Sequence, residues 1–434
     1  MLVNLWCIFK EGMHRILFVF VLYTSSHLFG QIDEVRRITK TLCSEGFHGR
    51  GYVQKGDSIA ADFIANEFQK LDLKPLKKSY FQSFNFDVNS FPKKMELSSG
   101  NIVFKPAEHF LVDPSSGSFS GELKVKRISI EDGLNTQTLA ETIRMVMSSD
   151  QFNGILLDFA SATVDEKKLL AGMADELANY VPVIETVNSK FTWSVSQTQK
   201  ANCFLYLQDS VDLDQTVFNV QIDAELLNNY SSQNVVGFLP SKKKCAPTFV
   251  YTAHYDHLGR MGENNYFPGG NDNASGTAML ISMAKYFKEN PINANILFIA
   301  FGGEEVGLLG SKHFVENPLI KLKKIDFLVN LDIMGSGEEG ITIVNGSLFE
   351  KEFKMFEEIN REQQLLKVVK SRGPAANSDH YWFTEKGVPA FFIYTMGPNK
   401  NYHDIFDTYE NLSFSEYDDI TTLLVSFFKM KSSK

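Results

Sequence analysis

The feature that most restricts how this chain can fold is a series of short, unbroken apolar runs in its second half. They are Thr248-Phe249-Val250-Tyr251-Thr252, Asn295-Ile296-Leu297-Phe298-Ile299-Ala300, Asp326-Phe327-Leu328-Val329-Asn330 and Pro389-Ala390-Phe391-Phe392-Ile393-Tyr394. A strand with one wet face alternates apolar and polar residues, whereas a strand covered on both faces reads as a continuous apolar run. Helical stretches fall between the runs, at Ala274 to Phe287 and Phe349 to Gln364. The order strand, loop, helix, strand predicts an α/β fold of three layers, a mostly parallel sheet with helices on both faces.

The first half has a different texture. Two segments, about 33–44 and 58–71, read as helices; in the second, Ile59, Phe63, Ile64 and Phe68 share one face. Phe84-Asn85-Phe86-Asp87-Val88 alternates as a strand. From about residue 96 to 215 short strands follow one another between turn-formers, as at Leu123-Lys124-Val125, Gly154-Ile155-Leu156-Leu157, Val181-Pro182-Val183-Ile184 and Cys203-Phe204-Leu205-Tyr206-Leu207, with a helix near Lys167 to Tyr180. This portion carries none of the clusters described below and reads as an inserted, smaller, β-rich α+β domain. The expected division is 1–31 an export signal, 32–95 the first part of the main domain, 96–215 the insertion and 216–434 the main part.

The export signal rests on His14-Arg15, the apolar run Ile16 to Leu22 and the small and polar residues Ser25-Ser26 that follow. Such a run is too short to span a bilayer and has the proportions of a signal-peptide core. It is complete from Met13, so the start is Met1 or Met13. No later stretch is apolar enough to cross a membrane. The expectation is an exported protein, periplasmic or extracellular, with no stable membrane insertion after signal removal. Composition excludes other classes: 43 Lys+Arg against 52 Asp+Glu leaves a net charge of −9, which supplies no basic face for nucleic acid. Lys242-Lys243-Lys244 reads as a solvated turn. The four cysteines, Cys7, Cys43, Cys203 and Cys245, lack C-x-x-C spacing and cannot form a dense disulfide framework.

Several of the apolar runs end in acidic or imidazole residues, and in open α/β sheets ligands bind beyond the carboxyl ends of the strands. The first run leads into His254-Tyr255-Asp256-His257, where His254 and Asp256 face the same way. One arrangement open to them has the imidazole on a metal and the carboxylate on its other ring nitrogen. Next comes the glycine-flanked turn Gly269-Gly270-Asn271-Asp272-Asn273-Ala274-Ser275-Gly276. The later runs lead to Gly302-Gly303-Glu304-Glu305, to Asn330-Leu331-Asp332 and to Tyr402-His403-Asp404. Taken singly each is weak: a Glu pair is commonly a solvated face, and an Asp after a strand is commonly a cap. As an ordered set, two His and three carboxylates suffice for two neighbouring zinc sites if one carboxylate bridges, and the chemistry implied is hydrolysis.

The set resembles the co-catalytic zinc aminopeptidases, the group that includes bacterial leucyl aminopeptidase, aminopeptidase Y and glutamate carboxypeptidase. The matching residues are His254 to His257, Asn271 to Gly276, Glu304-Glu305, Leu331-Asp332-Ile333-Met334-Gly335, Ser378-Asp379-His380, His403 and Asp407-Thr408. Gly46-Phe47-His48-Gly49-Arg50 is similar to the loop between the first two helices of these enzymes. The resemblance implies two Zn2+ ions and peptide substrates. It implies that Asp272 bridges, that Glu305 and His403 complete one site, and that His254 and Asp332 complete the other. Glu304 would be the general base and Asp256 would support His254. His257, Asp379 and His380 would lie around the metals or near substrate, His380 equally as a structural histidine. Many relatives carry a protease-associated insertion where residues 96–215 stand, and such an insert could restrict the cleft to short peptides. The leading expectation is a secreted aminopeptidase. A carboxypeptidase, a glutaminyl-cyclase-like acyltransferase and an inactive receptor or scaffold of the same fold stay open.

Overall fold

The computed structural model describes residues 32–148, 150–209 and 216–433; the expected export segment, with Cys7, lies outside the described residues. The chain forms two eight-stranded sheets. Across the first, the strands run in the order Phe81–Ser90, Glu225–Leu239, Asn295–Phe301, Thr248–His254, Ile325–Leu331, Ala390–Met396, Gly340–Val344 and Val369–Ser371. The four apolar runs are its four middle strands, all mutually parallel. Outside them the direction changes: Glu225–Leu239 pairs antiparallel with Asn295–Phe301, and Gly340–Val344 antiparallel with Ala390–Met396.

Because successive side chains on a strand point to opposite faces, each middle strand feeds two cores. Phe249, Tyr251 and Ala253 pack on one side with Ile296, Phe298 and Ala300, while Val250, Leu297, Ile299 and Phe301 pack on the other. The first face is covered by helices at residues 32–42, Gly56–Lys70, Gly276–Glu289, Glu350–Gln363 and Tyr417–Ser432. The second is covered by Leu309–Glu316 and His380–Glu385 through Phe314 and Phe383. In Gly56–Lys70 the buried stripe is Ala60, Ala61, Ile64 and Phe68, whereas Ile59 is 37% exposed. The stripe is therefore turned from the expected one, because the small alanines let this helix lie against the sheet.

The second sheet has the order Ile102–Phe104, Met95–Ser99, Val217–Ile222, Phe119–Ile128, Gly154–Leu157, Val183–Val187, Phe204–Gln208 and Phe110–Val112. It thus extends to Ile222, past residue 215. The helix expected from Lys167 to Tyr180 is two short ones, Val164–Leu170 and Met173–Leu177, separated at Gly172 with φ 81. Cys43, Cys203 and Cys245 are free thiols. Among the described residues no helix is long and apolar enough to cross a membrane.

The second unit is docked on the first rather than tethered to it. The segment after His257 sends Leu258, Met261 and Phe267 into the same core as Phe91, Trp193 and Leu205. Arg50, fully buried, fastens this segment from below. Its guanidinium donates to the carbonyls of Tyr255 (2.8 Å), Leu42 (3.0 Å), Pro268 (2.6 Å) and Gly269 (2.7 Å). Replacing Arg50 with Ala would leave those carbonyls buried and unpaired. The expected cost is about 3 kcal/mol or more, read as a lowered urea midpoint; a loss under about 1 kcal/mol would mean that water replaces the guanidinium.

Candidate metal centre

Each chemistry-bearing segment leaves the sheet at the carboxyl ends of the parallel strands. His254 ends Thr248–His254, Gly302 to Glu305 follow Asn295–Phe301, Asp332 follows Ile325–Leu331, and the loop to His403 follows Ala390–Met396. Between the first two, Gly270–Ser275 forms a wide turn into Gly276–Glu289. A Cβ on Gly269, which has φ +55, would lie 2.3 Å from the Asp272 carbonyl oxygen and 2.4 Å from the His257 ring, so only glycine fits.

The polar side chains of this turn lash it to the segment after Leu331. Asn273 donates to Leu331 O (3.0 Å) and accepts from Gly276 N (2.9 Å); Asn271 Oδ1 accepts from Gly335 N (2.9 Å), and Ser275 Oγ from Met334 N (2.8 Å). Asp407 accepts from the amides of Asn271 (2.8 Å) and Asp272 (3.0 Å). Asp272 is thereby held between two imidazoles. Its Oδ1 lies 3.2 Å from His254 Nε2 and its Oδ2 3.1 Å from His403 Nε2. Asp332 Oδ1 stands 3.4 Å from His254 Nε2, and Glu305 Oε2 3.3 Å from His403 Nε2.

Both rings offer Nε2 to the cluster because of what their Nδ1 atoms meet. His254 Nδ1 faces the main-chain carbonyl of Asp256 at 3.2 Å, and His403 Nδ1 that of Trp193 at 2.9 Å. A carbonyl only accepts, so Nδ1 carries the hydrogen and the Nε2 lone pair is available in the neutral ring. The Asp256 carboxylate, expected to support His254, stands 3.8 Å from its Nδ1, within ion-pair reach but beyond a hydrogen bond. It accepts instead from the amides of Glu304 (3.1 Å) and Glu305 (3.3 Å) and from the Tyr52 hydroxyl (3.0 Å), so it orients the Glu-Glu turn. The geometry is simple: the carboxylate of Asp256 points along the sheet edge to the neighbouring strand's end, and its own carbonyl turns back to the ring.

The donor set fits zinc. Two donors on one tetrahedral zinc, at the usual bond lengths, are about 3.4 Å apart, close to the four separations above. Asp332 Oδ1 is buried without a hydrogen-bond partner, an acceptor prepared for a cation, while Asp332 Oδ2 accepts from Ser378 Oγ at 3.0 Å. His257, Asp272 and Glu305 also converge within metal-binding reach. However, His257 Nδ1 and Glu305 Oε1 are 2.7 Å apart, the spacing of a charge-assisted hydrogen bond. His257 therefore buttresses Glu305.

The buried charges of the cluster shift one another's pKa values. Burial pulls the His403 ring down, but Glu305 and Asp272 outweigh it and lift its pKa to about 10. His254 is likewise raised against its burial by Glu304, Asp332 and Asp272. Burial pushes the Glu304 carboxyl well above its ordinary range. Asp379 is buried, pushed up to about 7 by that burial, and does not line the cleft. His380, pulled down to about 4 by burial, lies against Phe392 and lines a separate cavity with Pro374 and Tyr381. Neither ring nitrogen of His380 has a hydrogen-bond partner among the described residues, and the ring does not line the cleft over the cluster.

A cavity of about 190 Å3 opens over the cluster. Glu304 lines it, with Asp272, Asp332 and both imidazoles, and Ile333, Phe392, Tyr394, Tyr402, Asn377 and Arg372 form its walls. Glu305 does not line it. Ile333 (φ 56) and His403 (φ 52) both adopt left-handed backbone, a strained conformation that is least tolerated by a β-branched residue. Sequence reasoning missed Arg50 and Asp407 as the supports of the Asp272 turn, and Tyr52, Trp193, Arg372 and Tyr394 altogether. Of these, only Arg50 and Asp407 fell within segments that carried a recognisable motif.

Residues 234–428 match the model of peptidase family M28. This part of the chain is an M28 domain. Aminopeptidase YwaD of Bacillus subtilis is 34% identical over 194 residues, which span 43% of this chain and 41% of that protein. The matched stretch is thus less than half the length of that relative. The solved structure of BSAP, a zinc aminopeptidase from Bacillus subtilis, superposes with a TM-score of 0.65 at 21% identity, covering 92% of this chain and 95% of that one. An aminopeptidase from Aneurinibacillus sp. strain AM-1 gives 0.59 at 18% identity over 91% and 92%. These likenesses extend the shared fold beyond the M28 domain to the second sheet.

Proposed function

We propose that this chain is a zinc-dependent exopeptidase, an aminopeptidase, that holds two zinc ions at the cluster. The observation that carries this reading is the Asp272 carboxylate, which turns one oxygen to His254 and the other to His403. His254 and Asp332 would hold one ion, Glu305 and His403 the other, and Asp272 both. Zinc bound there supplies Lewis acidity, lowering the pKa of a water and polarising the scissile carbonyl.

Glu304 is the general base. It lines the cavity, its main-chain amide is fixed by Asp256, and its raised pKa suits a group that takes a proton and returns it to the leaving amine. Its neighbour Glu305, turned away and paired with His257, is left to hold metal. The cavity has room for about one side chain, since a cavity of roughly 150 Å3 accepts a benzene ring, and this favours cleavage of a terminal residue. The relatives named aminopeptidases support the amino end. Export through residues 1–31 is part of the proposal, and N-terminal sequencing of secreted material tests it: a mature chain beginning at Met1 or Met13 defeats it.

Arg372 extends the reading to substrate preference. It is the one Lys or Arg lining the cavity; among the described residues its guanidinium reaches only the Tyr394 hydroxyl, at 3.4 Å, and joins no ion pair. A substrate carboxylate near the cleavage point would meet it.

Glu304→Gln should keep the metal content of the wild type and lose about 10²- to 10⁴-fold in kcat, measured by metal analysis beside hydrolysis of free and N-blocked peptides with a chelator control. Normal turnover removes Glu304 from its role, and undiminished cleavage of N-blocked peptides removes the aminopeptidase. His403→Ala should abolish one metal site, whereas His257→Ala should weaken it about 10- to 100-fold, read by zinc titration; equal effects would make His257 a ligand. Arg372→Ala should lower kcat/KM for acidic terminal residues about tenfold relative to leucine, the scale of one lost exposed charge contact.

A further inference from the structure

The second sheet's unit reaches the cluster through main chain. Trp193 N donates to His403 O at 2.8 Å, and His403 Nδ1 donates to Trp193 O at 2.9 Å. The two residues clamp each other across 210 positions of sequence. Trp193 is itself fixed: its indole Nε1 donates to Val112 O (2.8 Å) and its ring stacks on Phe267 with centroids 4.8 Å apart. Lys190, three residues earlier, pairs with Asp404 and donates to Lys400 O (2.8 Å), tying down both sides of His403. One face of the His403 ring carries Tyr402, stacked at 3.9 Å.

His403 needs such a hold. It stands in a loop after the last parallel strand, in left-handed backbone, which is uncommon for a residue other than glycine. Its counterpart His254 differs in both respects: it ends a strand of the central sheet and gives its Nδ1 hydrogen to a carbonyl only two residues away. One imidazole is therefore oriented by the M28 domain alone, and the other by the inserted unit.

We infer that the inserted unit is a working part of the metal centre, with Trp193 the positioning residue and Lys190 its anchor. Their role is to fix the His403 tautomer and ring direction and so to set the affinity of the Glu305–His403 site without altering that of the His254–Asp332 site. This rests on the proposed ligand set. It differs from a role in restricting the cleft, because the contact is to a ligand's far nitrogen rather than to substrate.

The test is zinc and cobalt titration of the metal-free full chain, followed calorimetrically and by the cobalt absorption bands, for wild type, Trp193→Ala, Trp193→Phe and Lys190→Ala. Wild type should bind two ions. Trp193→Ala keeps the carbonyl but removes the indole that fixes it, and should give a split isotherm, one site unchanged and the other weakened towards the roughly 10- to 100-fold that loss of a partner of a metal-bound histidine costs. Trp193→Phe keeps the ring stack and should recover most of the affinity. Lys190→Ala removes a largely solvent-facing side chain, leaves the core intact, and should weaken the same site by a smaller factor. Both sites at wild-type affinity in Lys190→Ala and in folded Trp193→Ala overturns the inference, as does equal weakening of both sites, which is what general loss of structure produces. Fewer than two ions on the wild type defeats the two-zinc reading instead.

Discussion

A single carboxylate shared between two imidazoles sets the requirements that the rest of the molecule meets. For Asp272 to show one oxygen to His254 and the other to His403, its backbone must sit between two strand ends with little freedom, and it must do so buried. A buried turn exposes main-chain groups that need partners. That is the role of Asn271, Asn273, Ser275 and Asp407, which bind amides and carbonyls of the neighbouring segments, and of Arg50, which gathers the carbonyls beneath. The Asn-Asp-Asn-Ala-Ser-Gly sequence is thus one buried carboxylate wrapped in the residues that fix it.

The same requirement explains the charge distribution. Asp256, Asp272, Glu304, Glu305 and Asp332 lie within one small volume, and ionising all of them there without compensation is prohibitively unfavourable. The carboxylates raise the pKa of both imidazoles, and burial raises that of Glu304. Two divalent ions would offset most of the five negative charges, and Asp256 is relieved by two amides and a phenol. The net charge of −9 therefore overstates how negative the cleft would be when loaded.

Much of this was legible in the sequence because it follows from local pattern. The four apolar runs became the four parallel strands, and the residues at their ends converge on one spot because parallel strands present their carboxyl ends together. What was not legible depends on main chain or on distant segments. The Asp256 carboxylate was paired with His254 because residues two apart share a face, but the neighbouring strand's end lay in its path. The antiparallel flanks were not singled out, although Val235-Val236-Gly237-Phe238-Leu239 is itself an apolar run, because a run alone does not give strand direction. Trp193 acts through its carbonyl, for which no side-chain motif exists. The helix expected through Gly172 failed on a single residue with positive φ.

The long separations have a physical consequence for how the site forms. His403 meets Trp193 across 210 residues, Arg50 meets Gly269 across 219, and Asp407 meets Asn271 across 136. Contacts of such range carry a loop-closure cost, and the one between His403 and Trp193 also needs the second sheet's unit in place. The His254 side of the cluster, by contrast, is drawn from adjacent strands of one sheet. The two halves of the centre share the Asp272 turn and its supports but differ beyond it: His254 and Asp332 come from the central sheet, whereas His403 also needs the segment around Trp193 seated against its loop. A cation bound between them would favour the fully docked state over any partly docked one, because only that state presents the second imidazole.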